Sequence, residues 1–450
     1  MKKTIFKRKI YNSLLDWKKK WDGAYSVLIQ GARRVGKSTI AEQFAQNEYK
    51  SYIKIDFAHI TREMLSIFDD INNLPMFFLR LQAETNVTLY ERESVIIFDE
   101  IQLYPKVRQA IKYLVADRRY DYIETGSLIS IKKNVKGIVI PSEEHKIDMY
   151  PMDYEEFLWA LNNPNYEIIK QFAELKQPIG EATNRKLMRD FRIYMAVGGM
   201  PQAVEAYIQG KNFAEIDAVK REIIELYKDD FRKIDSSGRI SKIFESIPSQ
   251  LALKKKRFMI NRATGKKRTN KDEELLSDLL DSKTVLICND VEDPGLSLSQ
   301  TKQEDAFKLY IADTGLFTTL LFNDEMKAHE DIYRKLLSNK LPENLGYLYE
   351  NAAAQVLTAC GRKLYYHTWN TPEGNHHYEI DFLIVQNAKL SPIEIKSARI
   401  TLHESMNVFS EKYSRLIYKK YLFSQHDIAK DGDLQIWPIY CLPIIADTNA

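Results

Sequence analysis

The chain has 450 residues, of which 65 are basic and 62 are acidic, so its net charge is only +3. At about 150 residues per domain, this length predicts roughly three domains that can each bury a core. No stretch approaches the ~18 consecutive apolar residues of a membrane span, and the basic N-terminus lacks the apolar segment of a signal peptide. The cysteines lie far apart, which argues against a disulfide framework or a zinc ribbon. Composition therefore predicts a multidomain cytoplasmic protein without a membrane segment.

The first 150 residues alternate short apolar runs with segments of helical spacing. The predicted strands are Tyr25–Gln30, Ser51–Phe57, Ser94–Asp99, Asp121–Thr125 and Lys146–Tyr150. Apolar strands joined through helices are typical of a parallel sheet that is covered on both faces. The predicted fold class is therefore α/β, beginning with an αβα sandwich.

A complete P-loop pattern, G-x-x-x-x-G-K-[ST], lies between the first predicted strand and the helix that follows it. Its glycines let backbone N–H groups and the helix N-terminus face a triphosphate. We expect Lys37 to contact the β and γ phosphates and Ser38 to ligate Mg²⁺. The predicted nucleotide-binding residues are Gly31, Ala32, Arg33, Arg34, Val35, Gly36, Lys37, Ser38 and Thr39.

A second element of a nucleotide site is the apolar run Val95–Phe98, which ends in Asp99 and Glu100. With a P-loop upstream, this run is typical of the Walker B strand, whose aspartate holds Mg²⁺. Glu100 would then orient or deprotonate the attacking water. The predicted cofactors are ATP and Mg²⁺.

These motifs, Phe98–Gln102 and Thr125-Gly126-Ser127 resemble AAA+ type ATPases. The resemblance implies that Ser127 occupies the sensor position near the γ-phosphate or the attacking water; the alternative is a plain helix N-cap. Two later segments, Met149–Leu158 and Gly198–Pro201, narrow the resemblance to a widespread prokaryotic family of predicted ATPases that carry a C-terminal domain of unknown function.

One feature departs from that resemblance, because residues 128–150 contain no arginine. AAA+ ring ATPases usually place an arginine finger there, and lysine lacks the planar fork that suits a transferring phosphoryl group. Arg189 or Arg192 could act as a lid arginine, or could be surface charge. We therefore expect a monomer or a weak homo-oligomer at least as much as a hexameric ring.

Changes in sequence pattern divide the rest of the chain. We expect a P-loop ATPase domain at 1–150, a helical lid at 151–235, a winged-helix-like domain at 236–334 and a nuclease-like α/β domain at 335–450. Between Lys254 and Lys271 lie nine basic residues and no acidic one. Such a run has two interpretations: its basic side chains contact DNA phosphates, or it forms a solvated basic loop.

The last segment carries acids and a lysine on predicted helices and strands. Glu350 lies on a helix-like stretch, Asp381 on one strand, and Glu394 and Lys396 on the next. Residues two apart on a strand share a face, so Glu394 and Lys396 point together, and strand pairing would bring Asp381 beside them. Carboxylates and a lysine around one hard cation form the centre of metal-dependent phosphodiesterases.

This order resembles the PD-(D/E)xK nuclease superfamily, which includes restriction enzymes. The resemblance implies a restriction-endonuclease-like C-terminal fold. It also implies that Asp381, Glu394 and Glu350 bind Mg²⁺, while Lys396 activates water or stabilises charge. The adjacent His376 and His377 are interpreted as loop or strand-end residues, since neighbours on a strand face opposite ways.

The sequence therefore predicts a Mg²⁺-dependent ATPase whose nucleotide state controls a C-terminal region that binds DNA and, if its site is intact, cleaves it. DNA is the expected partner, through the basic segment and the nuclease-like domain. The alternative is an ATP-dependent switch or scaffold in which an inactive nuclease-like domain docks protein or DNA. A third interpretation is a DNA-binding ATPase whose nuclease residues no longer act.

Overall fold

The computed structural model describes residues 4–126, 142–253, 255–265, 270–295, 297–322, 329–338, 340, 346–372, 374, 376–397 and 403–447. The chain forms two compact units. The first is Met1–Tyr150 with Asp281–Lys283, and the second is Pro151–Leu280 with Thr284–Ala450. Among the described residues, no helix is long and apolar enough to cross a membrane.

The first unit is built on a parallel five-stranded sheet. Its strands are β1 (Ser26–Gln30), β2 (Ser51–Asp56), β3 (Ser94–Asp99), β4 (Asp121–Gly126) and β5 (Glu144–Asp148). Its helices are α1 (Ile10–Trp21), α2 (Lys37–Glu48), α3 (Arg62–Ser66), α4 (Leu74–Thr85) and α5 (Pro105–Asp117), with 3-10 turns at Ile67–Asp70 and Ile101–Leu103. The strand order is β2-β3-β4-β1-β5. The predicted parallel sheet is confirmed.

Burial explains why these strands could be recognised from sequence. All residues of β1, β3 and β4 are buried, as expected for inner strands of a parallel sheet. β1 and β3 are mostly apolar in sequence, whereas β4 also buries Asp121, Glu124 and Thr125. The edge strands β2 and β5 keep partly exposed positions. Ile53, Phe98 and Ile111 belong to the apolar cluster that packs on this sheet.

Three residues from the middle of the chain complete the first unit. Asp281–Lys283 belong to it, although the residues on both sides belong to the second unit. The Lys283 ammonium lies 3.1 Å from the Asp148 carboxylate at the end of β5. Asp148 also accepts a hydrogen bond of 2.7 Å from the Gln30 amide, and Gln30 directly precedes the P-loop.

The second unit contains the remaining helices and strands. Its helices are α6 (Tyr154–Ala160), α7 (Asn165–Leu175), α8 (Glu181–Val197), α9 (Pro201–Ile208), α10 (Phe213–Ile234), α11 (Arg239–Ala252), α12 (Ile260–Thr264), α13 (Asn270–Asp281), α14 (Thr314–Leu321), α15 (His329–Leu337), α16 (Gly346–Ala359), α17 (Glu404–Lys412) and α18 (Leu442–Ala446). Its strands are β6 (Val285–Val291), β7 (Lys302–Ile311), β8 (Leu364–Asn370), β9 (His377–Ile380), β10 (Phe382–Gln386), β11 (Lys389–Ile395), β12 (Lys420–Ser424), β13 (Ala429–Asp431) and β14 (Leu434–Pro438).

These strands form two sheets. One has the order β7-β6-β8-β9 and the other β10-β11-β12-β14-β13. The antiparallel pair β6–β7 follows three helices, α11 to α13, which is the element order of a winged helix. Because β6 also pairs with β8 in parallel, this sheet combines strands from both sides of residue 335.

The segments around Met152 and Gly199 meet in the second unit. The Met152 N–H donates to the Gly199 carbonyl at 2.8 Å, and the Tyr194 hydroxyl donates to the Met152 carbonyl at 3.0 Å. A Cβ atom at Gly199 would lie 2.0 Å from the Met152 carbonyl oxygen. The Gly199 N–H also donates to the Asp313 carboxylate at 2.6 Å. Two of the sequence signatures therefore meet through a close backbone contact that requires glycine.

Candidate functional site

The P-loop connects β1 to α2 as predicted for a phosphate-binding turn. Gly36 has φ +103° directly before α2, a conformation that favours glycine. A Cβ atom at Gly31 would lie 2.2 Å from the Met149 carbonyl oxygen, so this position also needs glycine. Arg33 and Arg34 are exposed, whereas Val35 is buried. The first N–H groups of α2 have no partner within the helix and can receive an anion.

Lys37 lies buried at the start of α2. Its ammonium donates to the carbonyls of Gly31 and Ala32, at 3.0 Å each. Burial lowers the pKa of Lys37, while the nearby carboxylates of Glu100 and Asp99 act in the opposite direction. The lysine is therefore held against the loop by two of the loop's own carbonyl groups.

Asp99, at the end of β3, connects the two predicted halves of the site. The Ser38 hydroxyl donates to its carboxylate at 2.7 Å, so the two predicted Mg²⁺ ligands lie next to each other. A hydroxyl and a carboxylate are oxygen ligands that suit Mg²⁺. The residues present therefore fit the metal that the sequence predicts.

Thr125 belongs to the segment Thr125-Gly126-Ser127, in which only Ser127 has a role predicted from the sequence. It lies fully buried at the end of β4, between the P-loop strand β1 and the acidic strand β3. Its hydroxyl donates to the Asp99 carboxylate and accepts from the Glu100 N–H at 3.3 Å. Ser127, the predicted sensor residue, lies outside the described residues.

Glu100 follows Asp99 in a left-handed conformation, with φ +57°. Such a backbone conformation is uncommon for a residue other than glycine, and it often occurs at functional sites. The Gln102 side-chain amide donates to the Glu100 carboxylate. Glu100 is thus fixed at its N–H by Thr125 and at its carboxylate by Gln102.

Lys54 of β2 is a second cation at this edge of the sheet. Its ammonium lies 3.5 Å from the Asp99 carboxylate and 3.2 Å from Glu42. Burial would lower the pKa of Lys54, but the carboxylates of Asp99 and Glu42 outweigh burial and raise it. No motif includes Lys54, because only the pairing of β2 with β3 brings it to Asp99.

The second unit contains a cleft of about 450 Å³ at the predicted acid–lysine constellation. Asp381 lies between β9 and β10, where the sequence predicts one continuous strand, and its carboxylate accepts from the Ile395 N–H at 2.7 Å. The Lys396 ammonium lies 3.3 Å from the Glu394 carboxylate. The predicted proximity of Asp381 to this strand is therefore present in the structure.

Not every predicted residue of this constellation lines the cleft. Glu350, Asp381 and Lys396 line it, whereas Glu394 is buried beside it. Burial raises the pKa of both Asp381 and Glu394, and Lys396 opposes the shift in each case. In the described parts of the chain, no three histidine, cysteine, aspartate or glutamate side chains form a group that could hold a metal ion. The set Glu350, Asp381 and Glu394 stays a prediction.

Lys308 and Glu379 are further cleft residues that no sequence pattern indicated. Lys308 is buried on β7, and its ammonium lies 2.6 Å from the Glu379 carboxylate. Burial alone would lower the pKa of Lys308, but the carboxylates of Glu379, Glu350 and Asp381 raise it well above its usual value. The floor of the cleft is therefore a mixed arrangement of acids and lysines.

The lid arginine considered from the sequence has structural contacts. Arg192 is buried in α8 and donates to the Leu337 carbonyl at 3.3 Å and to the Gln425 side chain at 2.8 Å. Arg189 is exposed. Arg192 thus connects three segments of the second unit.

Known protein families match three separate parts of the chain. Residues 24–158 match a family described as an AAA domain. Residues 188–327 and 345–442 match two domains of unknown function, DUF8612 and DUF4143. The prediction of an AAA-type, P-loop ATPase domain is confirmed, while the nuclease resemblance stays a prediction. None of the curated proteins matches the chain.

Solved structures give weaker similarities. A Walker-type ATPase of Pyrococcus abyssi is 19% identical, with a TM-score of 0.42 over 70% of this chain and 96% of that one. A signal transduction ATPase with numerous domains from Pyrococcus horikoshii is 11% identical, with a TM-score of 0.26 over 79% of this chain and 48% of that one. Cdc6p from Pyrobaculum aerophilum is 12% identical, with a TM-score of 0.25 over 76% of this chain and 98% of that one. At these TM-scores, none of the three carries an argument about this chain.

Proposed function

We propose that the first unit binds Mg²⁺-ATP and hydrolyses it. The observation that carries this proposal is the contact of Ser38 and Thr125 with the Asp99 carboxylate, next to buried Lys37. Hydroxyls, a carboxylate and an ammonium at the ends of α2, β3 and β4 suit a nucleoside triphosphate with its cation.

Each residue has a separate task in this proposal. Phosphate oxygens replace the Gly31 and Ala32 carbonyls as partners of Lys37, so the buried ammonium gains a charged partner. Ser38 and Asp99 would hold Mg²⁺, which would supply charge neutralisation at the phosphates. Glu100 accepts a proton from the attacking water, and Gln102 and Thr125 keep Glu100 in position.

The first test separates ATP binding from ATP turnover. We expect Lys37→Ala to lose ATP binding, because the ammonium is the buried phosphate contact. We expect Glu100→Gln to bind ATP while turnover falls by about 10²–10⁴-fold, the usual effect of losing a general base. Fluorescent-nucleotide binding and phosphate release measure the two properties. Exposed Lys112→Ala is the matched control. Retained hydrolysis in Glu100→Gln would remove Glu100 from this role.

We further propose that the second unit is the output region, which binds DNA under control of the nucleotide state and cleaves it if the cleft is a working nuclease site. Support comes from Asp381 and Lys396 in one cleft and from the order of the elements: Glu350 lies on α16, Asp381 between β9 and β10, and Glu394 on β11. Cleavage of labelled linear, branched and single-stranded DNA, with Mg²⁺ or Mn²⁺ and with or without ATP, tests this proposal.

The informative variants for cleavage are Lys37→Ala and the double variant Glu394→Ala/Lys396→Ala. Cleavage that disappears in the double variant would establish a nuclease, and a change in Lys37→Ala would establish control by ATP. Absence of cleavage on every substrate would favour the alternative of a switch or scaffold with an inactive nuclease-like domain. Two observations favour that alternative: Glu394 is buried beside the cleft, and the described carboxylates form no three-ligand group.

A further inference from the structure

Part of the basic run lies at the cleft, and two of its residues are fixed to neighbouring strands. The Tyr366 hydroxyl of β8 donates to the Lys256 carbonyl, and the Lys256 ammonium donates to the Asn370 side chain. The Phe258 N–H donates to the Phe307 carbonyl at 2.7 Å, and the two phenyl rings stack. Residues 255–258 therefore have a defined position, unlike the free basic loop that the sequence left open.

Lys255 and Arg257, which alternate in the sequence with Lys256 and Phe258, line the cleft. Lys255 and Arg257 are exposed and line it together with Asp381 and Lys396. Within the described part of the chain, neither Lys255 nor Arg257 forms an ion pair. Their charges are thus available to a ligand, whereas the lysines deeper in the cleft already have carboxylate partners.

The floor of the cleft contains more carboxyl groups than lysines. Lys308 pairs with Glu379, and Lys396 pairs with Glu394 next to Asp381. His377 also lines the cleft, and its pKa is lowered by burial and by the neighbouring cations of Lys256 and Lys308. The unbalanced positive charge therefore lies at the rim, and the carboxylates lie below it.

This distribution favours one class of ligand. An acidic peptide would bring its carboxylates close to Glu350 and Asp381 without a cation of its own. A nucleic acid carries a condensed layer of counter-cations, so its phosphates can contact the basic rim while cations screen the acids of the floor. The backbone of a nucleic acid strand therefore fits this charge pattern better than a peptide does.

We propose that this cleft binds the sugar–phosphate backbone of a nucleic acid strand, with Lys255 and Arg257 as phosphate contacts that lead it to Asp381 and Lys396. Residues 255–258 of the basic segment and the acid–lysine centre then form one binding site instead of two separate modules. This inference rests on the proposed function of the second unit and names the residues through which it meets its ligand.

The test is the salt dependence of nucleic acid binding. Labelled mixed-sequence oligonucleotides are titrated with the full-length, nucleotide-free protein over a series of salt concentrations, with anisotropy as the readout. Single-stranded and duplex DNA and the corresponding RNAs are separate arms, because the proposed contact is with phosphates that all four share. The test variant is Lys255→Gln/Arg257→Gln. The matched control is Arg415→Gln/Lys430→Gln, which removes one exposed arginine and one exposed lysine away from the cleft.

We expect the test variant to weaken binding and to reduce the slope of log affinity against log salt by about 2, since each lost phosphate contact reduces it by about 1. The control should bind as the wild type does. A test variant that matches the wild type, or a control that loses as much, would overturn the inference and leave DNA binding by the second unit intact. A wild type that binds no nucleic acid at any salt concentration, both nucleotide-free and saturated with a slowly hydrolysed ATP analogue, would overturn the proposed DNA binding as well. The melting temperature of each variant establishes that it is folded.

Discussion

At the scale of single residues, the Thr125 hydroxyl stands out because it contacts both acids of the nucleotide site. It donates to the Asp99 carboxylate and accepts from the Glu100 N–H. We expect Thr125→Val, which keeps the shape and removes the hydroxyl, to lower the kcat of ATP hydrolysis by about 10–100-fold, the usual cost of losing a group that orients a metal ligand.

Thr125→Ser is the matched control for this prediction, because it keeps the hydroxyl and removes only a methyl group. Its kcat should stay near that of the wild type. Measuring kcat and ATP affinity for both variants separates an effect on Glu100 from a loss of binding. Equal activity in Thr125→Val and the wild type would show that Asp99 and Glu100 need no support from β4.

The residues that the sequence indicated and those that it missed differ in one physical respect. Lys37 and Ser38 are recognised because the P-loop is contiguous in the chain, and Asp99 and Glu100 because an apolar strand ends in acids. Thr125 reaches the site only because β4 lies between β1 and β3, and strand order is not visible in a single sequence. Local sequence patterns predicted the P-loop and acidic residues of the site, and the strand order of the sheet determined that Thr125 lies beside them.

At the scale of elements, the close contact between Gly199 and the segment that precedes α6 has a predictable cost. A Cβ atom at Gly199 would lie 2.0 Å from the Met152 carbonyl oxygen, which is backbone and moves only with its segment. We expect Gly199→Ala to lower the free energy of unfolding of the second unit by about 3 kcal/mol, as overpacking does.

Gly210→Ala is a suitable control for that substitution. Gly210 has φ +78°, but a Cβ atom there would meet nothing within 4 Å. Only the backbone conformation is strained, so a cost of about 1 kcal/mol is expected. Denaturant unfolding of both variants measures the difference. Equal losses would mean that the contact with Met152 relaxes without cost.

A buried acid pair between β4 and β5 predicts how the first unit responds to pH. The Glu124 carboxyl is fully buried, accepts from the Ser26 hydroxyl at 2.8 Å and faces Glu144, which pairs with Arg108 at 2.9 Å. Burial, together with the charge of Glu144, raises the pKa of Glu124 to about 8. Between its usual pKa of 4.5 and this value, the folded protein binds a proton that the unfolded chain does not.

Raising the pH through that window therefore lowers the free energy of unfolding of the first unit. Glu124→Gln cannot ionise, so above about pH 8 we expect it to be more stable than the wild type by up to about 5 kcal/mol. Near the lower end of the window the two proteins should unfold alike. Melting temperatures of both proteins over a pH series give the comparison. A difference that does not change with pH would contradict the raised pKa.

At the scale of the whole molecule, the proposed function requires that the first unit changes what the second unit does. We expect the affinity of the full-length protein for labelled DNA to differ between the nucleotide-free form and a form saturated with a slowly hydrolysed ATP analogue. A tenfold change corresponds to about 1.4 kcal/mol of coupling, within the usual range for allosteric proteins.

Lys37→Ala is the control for coupling, because it removes nucleotide binding and leaves the second unit unchanged. Its DNA affinity should not respond to the analogue. If the DNA affinity of the wild type also does not change with the analogue, the ATPase site and the cleft act independently. The proposal that nucleotide state controls DNA binding would then be wrong, even if both sites function.

The fold of the first unit could be predicted from the sequence to a greater extent than the fold of the second unit. In the first unit, the buried and mostly apolar strands β1 and β3 made the fold recognisable from the sequence. In the second unit, the antiparallel pair β6–β7 joins a sheet with β8 and β9, and this pairing places Lys308 beside Glu379. Contacts between strands so distant in the chain leave no periodic signal in the sequence.

The return of the chain to the first unit at Asp281–Lys283 limits how the protein can be dissected. A truncation after Tyr150 keeps every motif of the nucleotide site but removes Lys283, the cation beside Asp148 at the end of β5. Asp148 would then keep a negative charge next to Gln30 and the P-loop strand without that partner. The first unit is therefore formed by two segments that are not contiguous in the sequence. Gene fusion or recombination could transfer it whole only by moving two separate stretches of coding sequence.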